Sequence, residues 1–135
     1  MDIKLIEFKI NGDERGSLVS LESQKNIPFV IKRVYYLFDT QDGVRRGFHA
    51  HKKLKQILIC VAGSCDVLLD NGKEKMVVNL SNPNTGLLVE SMIWHEMFNF
   101  SHDCVLMVLA DDYYDEADYI RSYDEFVVKV EDNTR

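Results

Sequence analysis

Apolar residues in this chain occur in many short runs rather than in a few long ones. Runs rich in Val, Ile, Leu, Tyr and Phe are interrupted by Gly, Asn or Asp about every ten residues, a pattern typical of a β-sandwich or β-barrel. The ten predicted strands are Lys4–Ile10, Ser17–Leu21, Phe29–Phe38, Gly47–His51, Gln56–Val61, Cys65–Asp70, Glu74–Leu80, Gly86–Val89, Glu96–Phe100 and Cys104–Ala110. The sequence therefore predicts an all-β fold.

Two local patterns add a turn and a helix to these strands. Asn71-Gly72 separates two apolar runs and predicts a type I′ hairpin turn, which needs positive φ angles. Between Asp115 and Val130 the period changes, because Tyr119 and Phe126 belong to a set of apolar residues spaced at three or four positions. This spacing predicts a short C-terminal helix, with Glu131–Arg135 frayed beyond it.

Composition indicates one domain without disulfides. The chain has 135 residues and is 46% hydrophobic, which predicts a single domain over residues 1–135. No apolar stretch approaches the roughly 20 residues that cross a bilayer, and no leader pattern is visible. Cys60, Cys65 and Cys104 are odd in number and form no C-x-x-C pair, which indicates reduced thiols. We expect a cytoplasmic protein that does not contact a membrane.

The net charge limits the kinds of ligand that the whole surface can attract. A formal charge of −6 and a pI near 5.1 oppose nonspecific binding of nucleic acid, which depends on many lysines and arginines. An anionic small molecule would have to be held by a local group of cations. The candidates for that group are Arg33, Arg45 and Arg46.

The segment Gly47-Phe48-His49-Ala50-His51 carries the candidate chemistry. Side chains alternate between the faces of a strand, so His49 and His51 are expected to point the same way, with Cα atoms roughly 6.6 Å apart. Both imidazoles could then reach one small ligand, while Phe48 and Ala50 face the opposite side. Histidines exchange protons near neutral pH, which suits acid–base catalysis. The alternative is a pair of surface histidines on an exposed strand.

A wider frame surrounds these two histidines and resembles the first motif of the cupins. The frame places Gly43, His49, His51, Gln56 and Gly63 at G-x5-H-x-H-x4-Q-x6-G. Metal-binding cupins carry Glu where this chain has Gln56. A neutral amide weakens the charge balance of a divalent-metal site, so a metal-free site is expected.

The second cupin motif departs from its pattern as well. Met97 occupies the position where a further histidine is expected, and His95 lies two residues earlier. If the loop before it is shortened, His95 could complete a three-histidine metal site with His49 and His51. That site is the alternative to histidines that are free for proton transfer.

Five segments occur in order along the chain and narrow the resemblance. They are Ile31–Tyr36, Arg46–Leu54, Trp94–Met97, Asp112–Glu116 and Asp118–Arg121. Together they resemble the sugar 3,4-ketoisomerase family of WxcM-like cupins, which act on dTDP-4-keto-6-deoxy-D-glucose. The resemblance spans nearly the whole chain. It implies a small cupin barrel or jelly-roll sandwich, a homodimer with strand exchange, and no metal or other cofactor.

The resemblance also implies a reaction in which the keto group moves from C4 to C3 of the sugar. The C4 ketone acidifies the C3 hydrogen, so removing that hydrogen gives an enediol, and returning a proton at C4 completes the shift. His51 is expected to act on carbon with His49 as its partner, although the reverse order stays open. An aminotransferase and an acyltransferase would then make a 3-acylamino sugar for a surface polysaccharide or S-layer glycan.

Several further residues are expected to bind the substrate. Arg33 and Tyr35 share a strand face, and an inward guanidinium needs an anion such as a pyrophosphate. Arg46 lies on the face opposite the histidines if strand pairing is regular, so it would act from the strand end or across the dimer. Arg121, in the last of the five segments, is the fourth expected contact.

In the family that this chain resembles, the residues at two positions are linked to the configuration of the product at C4. An Arg15/His95 pair resembles the members that form the galacto product, which implies dTDP-3-keto-6-deoxy-D-galactose.

The competing activities are a dTDP-sugar 3,5-epimerase, a metal-dependent cupin dioxygenase and a non-catalytic sugar-binding cupin. Tyr119 is expected to pack rather than to stack on a base, while Trp94 could line the pocket or the core.

Overall fold

Backbone pairing in the computed structural model, which describes residues 1–133, places ten of the strands in two antiparallel five-stranded sheets. The strands are β1 (Lys4–Glu7), β2 (Asn11–Asp13), β3 (Gly16–Leu18), β4 (Arg33–Leu37), β5 (Arg46–His51), β6 (Gln56–Ala62), β7 (Cys65–Asp70), β8 (Lys75–Leu80), β9 (Thr85–Val89), β10 (Trp94–Phe98), β11 (Val105–Ala110) and β12 (Tyr119–Ile120). The first sheet has the order β1-β9-β6-β11-β4, and the second has the order β12-β5-β10-β7-β8. The predicted all-β sandwich is confirmed.

The main core lies between the two sheets. Strands β6, β9 and β11 supply Leu58, Leu87 and Leu106, while β7 and β10 supply Val67 and Met97. Alternation of buried and less buried positions along β7 shows that one face of the strand is directed into this core. Because the core involves both sheets, they form one sandwich rather than two separate layers.

A second apolar layer covers the outer face of the first sheet and shortens two predicted strands. Phe8, Ile27 and Phe29 pack with Ile57 and Ile59 of β6. The residues from Phe29 to the start of β4 therefore cover the sheet instead of extending a strand, and β4 begins only at Arg33. β1 likewise ends at Glu7, before the buried Phe8.

The C-terminal segment differs from the predicted helix over Asp115–Val130. A 3-10 turn at Glu116–Asp118 is followed by β12, and the helix α1 (Tyr123–Asn133) begins only afterwards. Ile120 and Phe126 are buried with Trp94, which places this tryptophan in the core. The prediction that the chain frays from Glu131 is wrong over Glu131–Asn133, because α1 continues through these residues, and its remainder, Thr134 and Arg135, lies outside the described residues. No helix within residues 1–133 is long and apolar enough to span a bilayer.

The hairpin between β7 and β8 is confirmed, but the predicted turn type is wrong. Gly72 has a φ of 92°, whereas Asn71 is not among the positive-φ residues that a type I′ turn requires at both positions. The loop spans four residues, and the Asn71 side chain accepts hydrogen bonds from the backbone of Lys73 and Glu74 at 2.9 and 2.8 Å. These local side-chain bonds support the longer loop.

Strands β2 and β3 form an arm that stands apart from both sheets. They pair only with each other among the described strands, and every residue from Asn11 to Leu18 is exposed. The predicted strand Ser17–Leu21 therefore corresponds to a shorter β3, and β2 was not predicted. The exposed fractions of Ile10 and Leu18 are 47% and 58%, which leaves two large apolar side chains uncovered at the arm.

Candidate active site

A cavity of about 340 Å³ opens where β4 of the first sheet faces β5 and β10 of the second. Arginines, tyrosines and a histidine supply most of its wall. The lining residues are Arg33, Tyr35, Leu37, Arg46, Gly47, His49, Met97, Tyr114, Tyr119 and Arg121. Four of the predicted substrate-binding residues and one predicted catalytic histidine thus border the same space.

Three histidines converge beside this cavity. The ring centroids of His49 and His51 are 5.0 Å apart, and that of His95 lies 4.5 Å from His49 and 6.0 Å from His51. His51 and His95 are buried, whereas His49 is half-buried and lines the cavity. The predicted common face of His49 and His51 is confirmed. β10 begins at Trp94, two residues before its predicted start, and therefore includes His95.

Hydrogen bonds to backbone carbonyls fix two of the imidazoles. His49 Nδ1 lies 3.0 Å from the carbonyl oxygen of Gly47, and His95 Nδ1 lies 3.1 Å from that of Ile93. A carbonyl oxygen only accepts, so each Nδ1 carries the hydrogen and each Nε2 is left with its lone pair. The Nε2 of His49 is buried and has no protein partner within residues 1–133.

A carboxylate fixes the third imidazole. His51 Nδ1 lies 3.1 Å from Asp118 Oδ2, and the Nε2 of His51 is buried without a partner in the described part of the chain. Because a carboxylate oxygen only accepts, the hydrogen of His51 also lies on Nδ1. The two histidines of β5 therefore both present an unprotonated Nε2.

Burial keeps all three imidazoles uncharged. Loss of water lowers the pKa of His49, and loss of water together with the neighbouring histidines lowers the pKa of both His51 and His95 to about 3. The imidazoles are therefore neutral at pH 7. A neutral imidazole can accept a proton, whereas only its charged form is an acid near this pH.

The three histidines also satisfy the geometric requirement for a metal site. One nitrogen from each ring lies within 4.8 Å of the others, which suits three ligands of a zinc or similar ion. Gln56 does not present a carboxylate to such an ion. Its Nε2 instead donates to Tyr35 Oη at 2.9 Å, and its Oε1 is buried without a protein partner within residues 1–133.

A β-bulge brings Arg46 to the side of the histidines, where regular pairing would have placed it on the opposite face. His49 pairs with His95 and Gly47 pairs with Glu96, so Phe48 is the extra residue. One extra residue reverses the alternation of side chains between Arg46 and His49. The prediction that Arg46 acts from the strand end or across the dimer is therefore unnecessary, because Arg46 lines the cavity of its own chain.

Gly47 makes this bulge possible. Its φ is 95°, in the left-handed region that glycine adopts readily. A Cβ at this position would lie 2.8 Å from the carbonyl oxygen of His95 and 3.2 Å from the Cα of Glu96. The close approach of β5 to β10 at the site thus requires glycine.

Cations surround the entrance of the cavity. Arg33 lies 5.0 Å from the ring centroid of Tyr35, and its Nε is buried without a protein partner in the described residues. The guanidinium of Arg46 has no hydrogen bond or ion pair within residues 1–133, whereas Arg121 is paired with Glu116 at 2.7 Å. Burial raises the pKa of Tyr35, so its hydroxyl stays protonated. Arg33 and Arg46 are available to an anion.

Two expected cations lie elsewhere. Arg45 is bound to Glu96 at 2.6 Å and stacks over Phe98, so it is not free for a ligand. Arg15 lies on the β2–β3 arm, is bound to Asp13 and does not line the histidine cavity of its own chain. A contact between Arg15 and this cavity is therefore possible only from another subunit or after movement of the arm.

Sequence reasoning missed two residues of the site. The ring of Tyr119 lies 4.4 Å from that of His51 and 4.9 Å from that of His49, although its spacing suggested a helix. Tyr114 also lines the cavity, and its hydroxyl donates to Glu116. The family segment Asp118–Arg121 was the signal for Tyr119, because β12 within it pairs directly with the histidine strand β5.

The fold and the site together define a cupin-like β-sandwich in which three histidines converge beside a polar cavity. Residues 1–131 match the family described as "FdtA: WxcM-like, C-terminal". The chain is 60% identical over 126 residues to the TDP-4-oxo-6-deoxy-alpha-D-glucose-3,4-oxoisomerase of Aneurinibacillus thermoaerophilus, which covers 93% of this chain and 91% of that protein. The chain belongs to this family of sugar 3,4-ketoisomerases.

Solved structures agree with the curated relative. A sugar 3,4-ketoisomerase from Thermoanaerobacterium thermosaccharolyticum in complex with TDP superposes with a TM-score of 0.96 at 43% identity, covering 98% of this chain and 97% of that one. A histidine-to-asparagine mutant of that enzyme in complex with TDP-4-keto-6-deoxyglucose has a TM-score of 0.94 at 43% identity, with coverages of 96% and 94%. The protein is therefore a TDP-sugar 3,4-ketoisomerase by family and fold.

Proposed function

We propose that this protein converts dTDP-4-keto-6-deoxy-D-glucose into a dTDP-3-keto-6-deoxyhexose. The observation that carries this proposal is the pair of unprotonated Nε2 atoms of His49 and His51 beside a cavity with unpaired arginines. The solved relative that binds TDP-4-keto-6-deoxyglucose and the curated 3,4-oxoisomerase support the same substrate. The reaction exchanges protons only, so it consumes no oxidant, reductant or cofactor.

His49 is the better candidate for the base that acts on carbon, which reverses the order we expected from the sequence. His49 lines the cavity, whereas His51 is buried behind it. In the proposed reaction His49 Nε2 removes the C3 hydrogen and later returns a proton at C4. His51 accepts the proton of the C3 hydroxyl and delivers one to the C4 oxygen, so no proton is gained or lost overall.

The polar wall of the cavity suits the charged parts of the substrate. Arg33 and Arg46, which have guanidinium nitrogens without protein anions, are proposed to bind the pyrophosphate. Tyr35 keeps its proton and can donate a hydrogen bond to an enolate oxygen, which stabilises the charge that develops during enediol formation. Arg121 borders the same space but shares its charge with Glu116.

We further propose that the active form is a homodimer in which the β2–β3 arm crosses to the partner. The arm is exposed along its whole length, and the edge strand β4 presents Val34 and Tyr36 with exposed fractions of 52% and 61%, followed directly by Phe38 at 61%. Uncovered apolar side chains on an arm and a free strand edge suit strand exchange between two copies. Arg15 would then reach the cavity of the partner.

The product is proposed to be dTDP-3-keto-6-deoxy-D-galactose. This proposal rests on the Arg15/His95 pair and on the place of His95 beside His49. An equatorial H4 in the product, seen by NMR as a small coupling to H5, is the expected result. An axial H4 would show that the gluco product is formed.

The proposed setting of the reaction is the cytoplasm, where unpaired thiols persist. The product carries a ketone at C3, so an aminotransferase is the class of enzyme that would consume it. An acyltransferase would follow, and the resulting 3-acylamino sugar is proposed to enter a surface polysaccharide or S-layer glycan.

A coupled assay tests the proposed function. The purified protein is incubated with dTDP-4-keto-6-deoxyglucose, a 3-aminotransferase and glutamate, and the 3-amino sugar is measured by mass spectrometry and NMR. His49→Asn and His51→Asn should each abolish product, while His102→Asn, in an exposed turn, should not. Exchange of solvent deuterium at C3 and C5 without carbonyl migration would indicate a 3,5-epimerase instead.

Two further outcomes would support the other competing activities. Stoichiometric iron or nickel bound by the three histidines, together with oxygen consumption, would indicate a dioxygenase. Tight binding of the sugar nucleotide without conversion under any condition would indicate a non-catalytic sugar-binding protein.

A further inference from the structure

Asp118 makes a contact with His51 that the sequence did not predict. We propose that Asp118 is a positioning residue of the isomerase: it holds the His51 ring so that an unprotonated Nε2 is presented at the site. This inference rests on the proposed function. The direct evidence is the 3.1 Å contact between His51 Nδ1 and Asp118 Oδ2.

The backbone fixes this carboxylate before any substrate binds. Asp118 Oδ1 accepts a hydrogen bond from the backbone of Lys53 at 2.9 Å, and Oδ2 receives a longer one from Leu54 at 3.4 Å. The backbone of Asp118 is itself bonded to Lys52 and to Asp115, at 2.9 and 3.0 Å. Oδ1 of Asp118 is therefore held by the turn after β5, whereas Oδ2 faces His51.

The neighbouring residue strengthens the argument that this segment serves His51. Tyr119 pairs with His51 across β12 and β5, and its ring packs against the imidazole at 4.4 Å. The segment thus fixes the ring by a polar contact at Nδ1 and by an aromatic contact on its side. A carboxylate in this position also stabilises the imidazolium that forms when Nε2 takes a proton.

A single atom exchange separates this role from a purely structural one. In Asp118→Asn, Oδ1 can still accept the hydrogen bond from Lys53, but an NH₂ group replaces the oxygen that faces His51. That NH₂ group donates, so it favours the tautomer with a bare Nδ1 and a hydrogen on Nε2. Such a ring cannot accept a proton at the site.

Asp115→Asn is the matched control. Asp115 lies three residues earlier in the same exposed segment and caps the 3-10 turn by accepting from the backbone of Ala117 at 3.0 Å. It contacts none of the three histidines through the hydrogen bonds of residues 1–133. A general loosening of the segment would affect both variants, whereas a specific effect on His51 would appear only in Asp118→Asn.

The experiment combines nitrogen NMR with steady-state kinetics. In wild-type protein labelled with ¹⁵N-histidine, His51, assigned by its loss in His51→Asn, should show a hydrogen on Nδ1, and in Asp118→Asn that hydrogen should move to Nε2. The kcat of Asp118→Asn should fall at least about 100-fold with little change in KM, because the altered tautomer cannot accept the proton while substrate contacts are kept. Asp115→Asn should match wild type in both measurements.

The outcomes that overturn the inference are separate from those that overturn the proposed function. A wild-type His51 with its hydrogen on Nε2, or an unchanged tautomer or kcat in Asp118→Asn, would refute the role of Asp118. The wild-type tautomer decides the question even if Asp118→Asn does not fold. Since NMR needs no turnover, a wild-type protein that fails to convert the substrate would refute the isomerase activity alone.

Discussion

Gln56 makes a hydrogen bond that a carboxylate at the same position could not donate. Metal-binding cupins carry a carboxylate at this position, whereas here Gln56 Nε2 donates a hydrogen bond to Tyr35 Oη. The hydroxyl hydrogen of Tyr35 is then free to point elsewhere, and Tyr35 lines the cavity. The sequence shows that Gln56 departs from the motif, but only the structure shows that it donates to Tyr35.

Gln56→Glu should therefore impair catalysis. A carboxylate at this buried position accepts the Tyr35 hydroxyl hydrogen and withdraws that donor from the cavity. We expect kcat to fall about 100-fold, within the range for loss of one donor to a developing oxyanion. Tyr35→Phe should cause a similar fall, and the double variant should be little worse than either single one. Wild-type turnover in Gln56→Glu would contradict this coupling, and circular dichroism controls for misfolding.

The residues of the site differ in how far the sequence could predict them. His49 and His51 were predictable because alternation along a strand is a local rule. Tyr119 was not, since its spacing to Tyr123 and Phe126 fits a helix, and only pairing with the distant strand β5 makes it part of a sheet. The periodicity of a short segment predicts its favoured secondary structure, but it does not predict the distant strand with which the segment pairs.

At the scale of elements, the bulge in β5 is the feature that assembles the site. It directs Arg46 to the same side as His49, which no count of residues along a regular strand could predict. Gly47, which permits the bulge, can be seen in the sequence. The carbonyl oxygen of His95 that lies close to it on β10 can be identified only in the structure. Strand existence was therefore predictable, while the local geometry that aims the side chains was not.

Gly47→Ala should disrupt this assembly, and Gly43→Ala provides the matched control. Both glycines have positive φ angles, 95° and 73°, so both substitutions carry a backbone cost of about 1–2 kcal/mol. A new Cβ meets β10 only at Gly47, since nothing lies within 4 Å of one at Gly43. Gly47→Ala should lower kcat/KM about 100-fold by displacing Arg46 and His49, whereas Gly43→Ala should keep activity. Equal kinetics in the two variants would disprove a special role of the bulge.

At the scale of the whole molecule, the buried histidines link stability to pH. His51 and His95 have folded-state pKa values of about 3, below the usual 6.5, because their charged forms lose water. Below pH 6.5 the unfolded chain therefore binds more protons than the folded one. Stability is full above that pH and falls as the pH decreases toward 3, by up to about 1.4 kcal/mol per pH unit for each histidine.

Urea unfolding between pH 7 and pH 5 measures this dependence, in a range where carboxylates titrate less. His95→Gln should reduce the slope of the unfolding free energy against pH by roughly half, since one of the two most shifted groups is removed. His102→Gln, in an exposed turn, should leave the slope unchanged. An identical slope in wild type and His95→Gln would show that the buried imidazole is not the cause.

The proposed exchange of the β2–β3 arm makes a quantitative prediction about mixed dimers. Arg15→Ala should lower activity at least about tenfold if this guanidinium reaches a substrate, whereas Glu14→Ala on the same exposed arm should not. Hybrids of an Arg15→Ala subunit and a His49→Asn subunit, isolated by two affinity tags, contain one site with both His49 and Arg15 if the arm acts on the partner. Such hybrids should have about half of the wild-type activity, because a two-fold dimer has two equivalent sites. If Arg15 served its own chain, both sites of the hybrid would lack one residue, and mixing would restore nothing.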